Sequence, residues 1–480
     1  MQPNVLFVTL DQFRGDSLSC AGHPLVRTPR LDELAANGVR FARHYSQAAP
    51  CAPGRAALYT GMYQMNNRVV ANGTPMDHSF DNVARAAIRA GYHPVTFGYT
   101  DTGADPRQIT DPNDPRLSTY ESVLPGFEEL LCLDAHHTPW LAWLKELGYT
   151  GPETDDPDLA LDTEHTRPSA HSVTTFLTDH IIGWLGRQTE PWFAHCSYIR
   201  PHPPYDAAGE YATMYAPKDC PLPLPTPEIP HRLLQLMLNA TGAPEDIGHM
   251  RAQYYGMISE VDFHIGRLID TLKANGQWEN TIIVMTSDHG EQLGDQGLQQ
   301  KCGWFESSYH IQTTIRDPFH PQAHGTVVGE FTENVDIMPT VCEAIGVPVP
   351  AQCDGFPLTP FLRGEAPPRW RDAAHYEWDW RDIFIPLGGN DGPWDRRLEQ
   401  LNLAVVRTAT HAYVQFGDGG SLCYDLAADP TWQTLVTDPS VVLPLAQQML
   451  VWRQTNLNRE LTGMLLRNGG IGRKPAAASG

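Results

Sequence analysis

Positive charge is scarce in this sequence. Its 480 residues hold 34 Lys and Arg against 56 Asp and Glu, a formal net charge of −22. No basic stripe or Lys/Arg run appears, which argues against nucleic acid as a partner. Any site for an anion must therefore be locally positive inside an acidic protein. Cysteine is also sparse. The nine cysteines are scattered, odd in number and without a CxxC pair. That argues against a disulfide framework and for a reducing, cytoplasmic setting. Long apolar runs are absent, so no membrane span is expected. The opening MQPNVLFVTLDQ passes straight into a strand-like run, with no basic region or separate apolar core of a leader. Internal repeats are lacking too.

What is present suits a soluble globular chain with a large core, 41% hydrophobic and 19% charged. The run NVLFVTL, 4–10, reads as a buried parallel strand. TPRLDELAANG reads as a helix with Thr28 as N-cap, Pro29 at its first position and Asn37-Gly38 as the stop. VRFARHYSQ is a strand, AALYTGMY a helix, and NVARAAIRAGYHPVTFGY a helix, turn and strand. TTFLTDHIIGWLGRQ, PWFAHCSYI, AQYYGMISEVDFHIGRLIDTLKANGQW and TIIVMTS continue the alternation as helix, strand, helix and strand. The pattern predicts an α/β fold: a large, mostly parallel sheet with helices on both faces. Residues 100–168 read as long loops or an insertion, and the Pro-dense 217–230 as an extended surface segment. A boundary falls near 365, giving a catalytic domain over 1–365. A smaller C-terminal unit over 366–467 combines an antiparallel sheet with a helix, and a disordered tail comes after it over 468–480. The aromatics of HYEWDWRDIF, 375–384, and Trp394 read as core, as a substrate mouth or as a subunit contact.

Chemistry gathers at two strand ends. Asp11 and Gln12 come after the first strand; Asp288 and His289 come after TIIVMTS. Ligands of open parallel sheets collect at the carboxyl ends of strands. If both strands share one sheet, two carboxylates, an amide oxygen and an imidazole meet. That set suits a divalent cation: Ca²⁺, Mg²⁺ or Mn²⁺ by its oxygens, Mn²⁺ or Zn²⁺ by its imidazole. The bland alternative is that each aspartate caps a following helix. Cys51, in CAPGRAALYTG, stands where a helix N-terminus would lower a thiol's pKa, with Arg55 one turn on. By itself it reads first as a buried structural thiol.

The run C-x-P-x-R followed by A-x-L-x-T-G resembles the signature of the type I sulfatases of the alkaline phosphatase superfamily. The neighbours agree in order along essentially the whole chain: NVLFVTLDQFRGD, TPRLDELAANGVRFARHY, TIIVMTSDHGEQLGD, NVDIMPTVCEAIGV, DGFPLTPFLRG and CYDLAADP. Asp-Gln at 11–12, Asp-His at 288–289, RPHPPY at 200–205 and GYTDTGADPR at 98–107 resemble the branch of phosphonate monoester hydrolases and related arylsulfatases. Two departures stand out. Gly98-Tyr99-Thr100 replaces the Lys-x-His of many sulfatases, and Asp101 interrupts the threonine run of the phosphonate branch.

The resemblance implies an alkaline-phosphatase-like fold and a metal-dependent hydrolase of sulfate monoesters, promiscuous towards phosphonate monoesters and phosphodiesters. The alternative order puts the phosphonate monoester or phosphodiester first. It implies that Cys51 is the precursor of formylglycine, made by a formylglycine-generating enzyme. The hydrated aldehyde attacks the ester with one hydroxyl, and re-formation of the carbonyl releases the product. Asp11, Gln12, residue 51, Asp288 and His289 would hold one divalent ion, Mn²⁺ or Ca²⁺ before Zn²⁺ or Mg²⁺. Arg55 would orient the nucleophile and Lys301 would bridge it to substrate oxygens. His202 would protonate the leaving oxygen. Asn72 and Tyr99 would line the pocket. Asp101 would face the anion, which it repels unless turned to the metal or the leaving group. The partners implied are a small anionic ester and a second copy of the chain, as dimer or tetramer. Two rivals keep the fold: a phosphatase using Cys51 as a plain thiol, and a binding protein without turnover.

Overall fold

The computed structural model describes residues 2–228, 230–241, 246–301, 303–381 and 399–458, with the short pieces 466–467 and 470–471. Trp394 and nearly all of the tail 468–480 lie outside the described residues. Thirteen strands matter here: β1 Asn4–Leu10, β2 Val39–Tyr45, β3 Ala48–Ala49, β4 Pro94–Gly98, β5 Glu128–Cys132, β6 Phe193–Tyr198, β7 Thr281–Ser287, β8 Thr313–Arg316, β9 Thr326–Glu333, β10 Ala373–Asp379, β11 Asn402–Thr408, β12 His411–Phe416 and β13 Ser421–Asp425. Eight form one sheet in the order β5-β4-β6-β1-β7-β8-β2-β9. Only β8 runs against its neighbours. The α/β expectation holds, with three strands beyond those named from the sequence: β8, β9 and β5, the last falling inside the stretch read as loops or insertion and forming an edge of the sheet.

Alternation along β1 builds two cores. Leu6, Val8 and Leu10 enter one hydrophobic cluster; Val5 and Phe7 enter the other. The first cluster is covered by α1 Pro29–Ala36, through Leu31 and Leu34. The second is covered by α2 Cys51–Thr60, through Ala52, Ala56, Leu58 and Tyr59. Two further helices, α3 Val173–Leu185 and α4 Ile247–Ala274, pack on the α1 side. A parallel sheet covered on both faces needs near-continuous apolar strands, as β1 and β7 supply. Thr28 precedes α1, but its side chain makes no cap bond. Asp262 of α4 instead accepts the Arg30 and Leu31 N–H groups at 3.0 and 2.7 Å. A distant carboxylate has taken the local cap's place.

The second sheet has the order β13-β12-β11-β10-β3. It is antiparallel apart from β3, which pairs in parallel with β10 through Ala48 and Ala49. The helix α5 Pro439–Thr455 packs on it through Leu445, Met449 and Trp452. Trp378 and Trp380 are buried in its core. Two residues just before Cys51 therefore belong to the C-terminal sheet, which ties that sheet to the start of α2.

Candidate active site

The strands β1 and β7 are hydrogen-bonded neighbours, with Leu10 opposite Ser287. Asp11 and Asp288 therefore leave the same edge side by side. The start of α2 meets them there. Gly54 makes that approach feasible: a Cβ at this position would lie 2.6 Å from the Asp288 carbonyl oxygen. The glycine of the CAPGR run is thus required by close backbone contact. Gln12 has a left-handed φ of 68°, which turns its N–H onto Asp288 Oδ1 at 3.1 Å. Strained backbone of this kind persists where the surroundings over-determine it.

Arg55 is the hub. It is fully buried. Its Nη2 donates to Asp11 Oδ2 at 3.0 Å and its Nε to Asp288 Oδ2 at 3.0 Å. Its Nη1 donates to Ser197 Oγ at 2.8 Å and the Tyr99 carbonyl at 3.3 Å. The Tyr99 ring lies 4.3 Å from the guanidinium, and its hydroxyl donates to Asp11 Oδ2 at 2.6 Å. In this structure the Tyr99 hydroxyl serves Asp11. Burial works against the Asp11 carboxylate, but neighbouring cations, Arg55 and Lys301 among them, outweigh it and hold the group well below the usual range. Burial and the Asp11 charge push Asp288 up to about 7.

The ligand-capable atoms of Asp11, Cys51, Asp288 and His289 all lie within 4.8 Å of one another, and all four residues are buried. His289 Nδ1 donates to the Gly290 carbonyl at 3.0 Å. Its Nε2 lone pair is left turned inward, 3.2 Å from Cys51 Sγ and 3.8 Å from both aspartates. Burial lowers this imidazole to about 3, which keeps it neutral. Two carboxylates, an imidazole lone pair and an oxygen or sulfur at 51 are a donor set that a divalent cation fits. Gln12 stands beside them with its Oε1 accepting from Lys301 Nζ at 2.8 Å, while its amide nitrogen donates to Glu291.

Cys51 departs from its sequence reading in one respect. The helix start was expected to lower the thiol's pKa. Burial and the Asp11, Asp288 and Asp101 carboxylates instead push it well up. Three buried negative neighbours outweigh the end of one ten-residue helix.

On the substrate side, Lys301 Nζ also lies 2.8 Å from His202 Nε2. His202 Nδ1 donates to the Pro203 carbonyl at 2.6 Å, so Nε2 accepts from the ammonium. Burial, then Lys301, lowers His202 to about 3. The proton expected on His202 therefore sits on Lys301, which the surrounding negative charges hold protonated despite burial. Asn72 Oδ1 accepts the Ala52 N–H at 3.0 Å and so caps the start of α2. Asp101 reaches Arg55, its Oδ2 3.5 Å from Nε. The structure thus brings together every residue named from the sequence.

It also adds three. Glu291 accepts the Gln12 amide and the Leu293 and Gln300 N–H groups. It stands two residues after His289, so the DHGE run was its signal. Ser197 and Tyr59 both receive hydrogen bonds from Arg55. Ser197 comes from β6, where nothing in the spacing marks it, whereas Tyr59 stands four residues after Arg55 in α2, a spacing that puts the two on one helix face.

Comparison with known proteins gives a consistent picture. The family model described as Sulfatase matches residues 3–347. The multifunctional alkaline phosphatase superfamily protein PehA of Trinickia caryophylli is 35% identical over 96% of each chain. The phosphonate monoester hydrolase of Agrobacterium radiobacter superposes with a TM-score of 0.91 at 41% identity, covering 99% of this chain and 100% of its own. That of Silicibacter pomeroyi gives 0.87 at 35% identity, covering 99% of each.

Proposed function

The chain belongs to the sulfatase family, within the alkaline phosphatase superfamily, and from that premise we propose a hydrolase of sulfate and phosphonate monoesters that uses one shared centre. The observation that carries the reading is the convergence of Asp11, Cys51, Asp288 and His289 around Arg55 and Lys301. The likeness to two phosphonate monoester hydrolases supports the phosphonate activity, and the family supports the sulfate one. Residue 51 as formylglycine would supply a hydrated aldehyde, with one hydroxyl to attack and a second to drive release. A divalent ion on Asp11, Asp288, His289 and residue 51, with Gln12 adjacent, would supply Lewis acidity and acidify the nucleophile. Its identity is open between Mn²⁺ and Ca²⁺, with Zn²⁺ and Mg²⁺ behind.

The chain's own side chains do the rest. Arg55 fixes both aspartates at 3.0 Å and keeps their charge compensated before substrate arrives. Lys301 presents an ammonium beside the nucleophile's neighbours. It can bridge to a non-bridging oxygen or donate to the leaving oxygen itself, with His202 Nε2 holding the ammonium in place. Asn72 spends its carbonyl on α2 and keeps its amide N–H groups for the ester. Sulfate and phosphonate esters share a tetrahedral anionic head, so one set of donors serves both. Arg55 and Lys301 face four buried acids here, Asp11, Asp101, Asp288 and Glu291, so the divalent ion would be what makes the site receptive to an anion.

The test takes protein whose residue 51 is verified as formylglycine by peptide mass spectrometry. An aryl sulfate and an aryl phosphonate monoester with the same leaving group are compared by kcat/KM. Turnover of both supports the reading; turnover of neither by metal-loaded protein removes it. Cytoplasmic location and a homo-oligomer, dimer or tetramer, remain part of the proposal. Among the described residues no helix is long and apolar enough to cross a membrane.

A further inference from the structure

Three aspartates face the Arg55 guanidinium, and they are not equivalent. Asp11 and Asp288 each take a hydrogen bond from it at 3.0 Å and further bonds from Tyr99, Gln12 and His289. Asp101 lies 3.5 Å from Nε, which is already given to Asp288, and accepts no hydrogen bond from the described residues. Its side chain is only 5% exposed. Its neighbours cannot relieve it. Thr100 Oγ1 donates to the Ser122 carbonyl at 2.9 Å, and Thr102 Oγ1 to the Thr100 carbonyl at 3.2 Å. A left-handed φ of 48° holds Asp101 in this position. Arg55 is the cation that offsets it, at that longer distance, while Asp11, Glu121 and Asp288 are its negative neighbours.

Substrate and product differ in charge. A sulfate monoester or a phosphonate monoester carries one negative charge. Water cleaves its S–O or P–O ester bond and forms a new bond from oxygen to sulfur or phosphorus. The alcohol departs and a proton is released; a sulfate product carries two charges at neutral pH, and a phosphonate product reaches two in mildly alkaline solution. A phosphate monoester carries two from the outset, above its second pKa of about 6.

We propose that Asp101 is a specificity-determining residue, whose under-compensated carboxylate favours singly charged ester anions, disfavours doubly charged ones, and weakens retention of the dianionic product. The proposal rests on the hydrolase reading for its substrates. Its electrostatic core, repulsion of a dianion, does not depend on turnover.

The experiment uses converted, metal-loaded full-length protein and compares wild type with Asp101→Asn and Asp101→Glu at about pH 8.5, where phosphate monoesters are dianionic. Inorganic sulfate is titrated calorimetrically into each. The kcat/KM values for an aryl phosphate and an aryl sulfate with one leaving group are measured in parallel. Asp101→Asn is expected to bind sulfate about tenfold more tightly and to raise the phosphate-to-sulfate ratio of kcat/KM about tenfold. Asp101→Glu, which keeps the charge, is expected to track wild type in both. Unchanged sulfate affinity and an unchanged ratio in Asp101→Asn would overturn the proposal. If that variant does not fold by circular dichroism, Asp101→Thr takes its place under the same criteria. If wild type turns over neither aryl sulfate nor aryl phosphonate, the hydrolase reading fails, and the sulfate titration alone decides the role of Asp101.

Discussion

The floor of the site and its rim are built differently. On the floor, Asp11 and Asp288 stand at adjacent strand ends, and each is fixed by several donors around one buried guanidinium. On the rim, Asp101, His202 and Lys301 come from loops, and their polar capacity is only partly spent within the chain. The difference teaches where binding energy is held. A floor satisfied in advance needs no reorganisation when charge develops, which is the condition for electrostatic catalysis. A rim left short of partners is where an incoming ester can be told from its competitors.

Removing Arg55 should break the floor most severely. Arg55→Ala leaves two buried carboxylates unpaired, a loss of about 3–5 kcal/mol. It should lower the urea midpoint and abolish turnover. Arg55→Lys should not restore activity, because one ammonium cannot reproduce the guanidinium's fixed fork. Next comes the metal. Chelation should abolish activity and lower the melting temperature, and re-addition of Mn²⁺ or Ca²⁺ should restore both. On the rim the effects should be smaller. Lys301→Met should reduce kcat/KM by about 10²–10³ for both ester classes while leaving the melting temperature nearly unchanged. Asn72→Ala removes an N-cap acceptor from α2 and should cost about 1 kcal/mol of stability.

Another buried acid, Glu260, sharpens the contrast from outside the site. It is fully buried, and neither carboxyl oxygen has a hydrogen-bond partner among the described residues. Burial, then the Glu164 charge, pushes it up to about 8. The folded chain therefore keeps this proton while the unfolded chain releases it near about 4.3. Its stability contribution is full below that lower value and is lost as pH climbs through about 8. Glu260→Gln should thus stabilise the protein at about pH 8 by on the order of 2 kcal/mol and change little at about pH 4. Thermal unfolding at the two pH values checks it.

Much of the floor was legible because strand ends and glycines leave strong marks. NVLFVTL and TIIVMTS are apolar enough to be central strands, so the residues next in the chain, Asp11-Gln12 and Asp288-His289, must lie at the sheet edge. The family resemblance supplied Arg55 and Lys301, and the structure brings them to that edge. Less could be read where partners are distant in sequence. Asp262 caps α1 from about 230 residues away, β5 joins the sheet from within a Pro- and Asp-rich stretch, and Ser197 meets Arg55 from another strand. The thiol's environment was misjudged for the same reason. A local helix end was visible in the sequence, whereas the three carboxylates that outweigh it assemble only in the fold.

The central claim is that one centre serves both ester classes. Its most direct test is cross-competition on converted, metal-loaded protein. An aryl phosphonate monoester is used as inhibitor of aryl sulfate hydrolysis. A single shared centre requires competitive inhibition with a Ki equal to the phosphonate's own KM as a substrate. Additive rates for a mixture of the two esters, or inhibition that does not compete with the sulfate, would contradict the account.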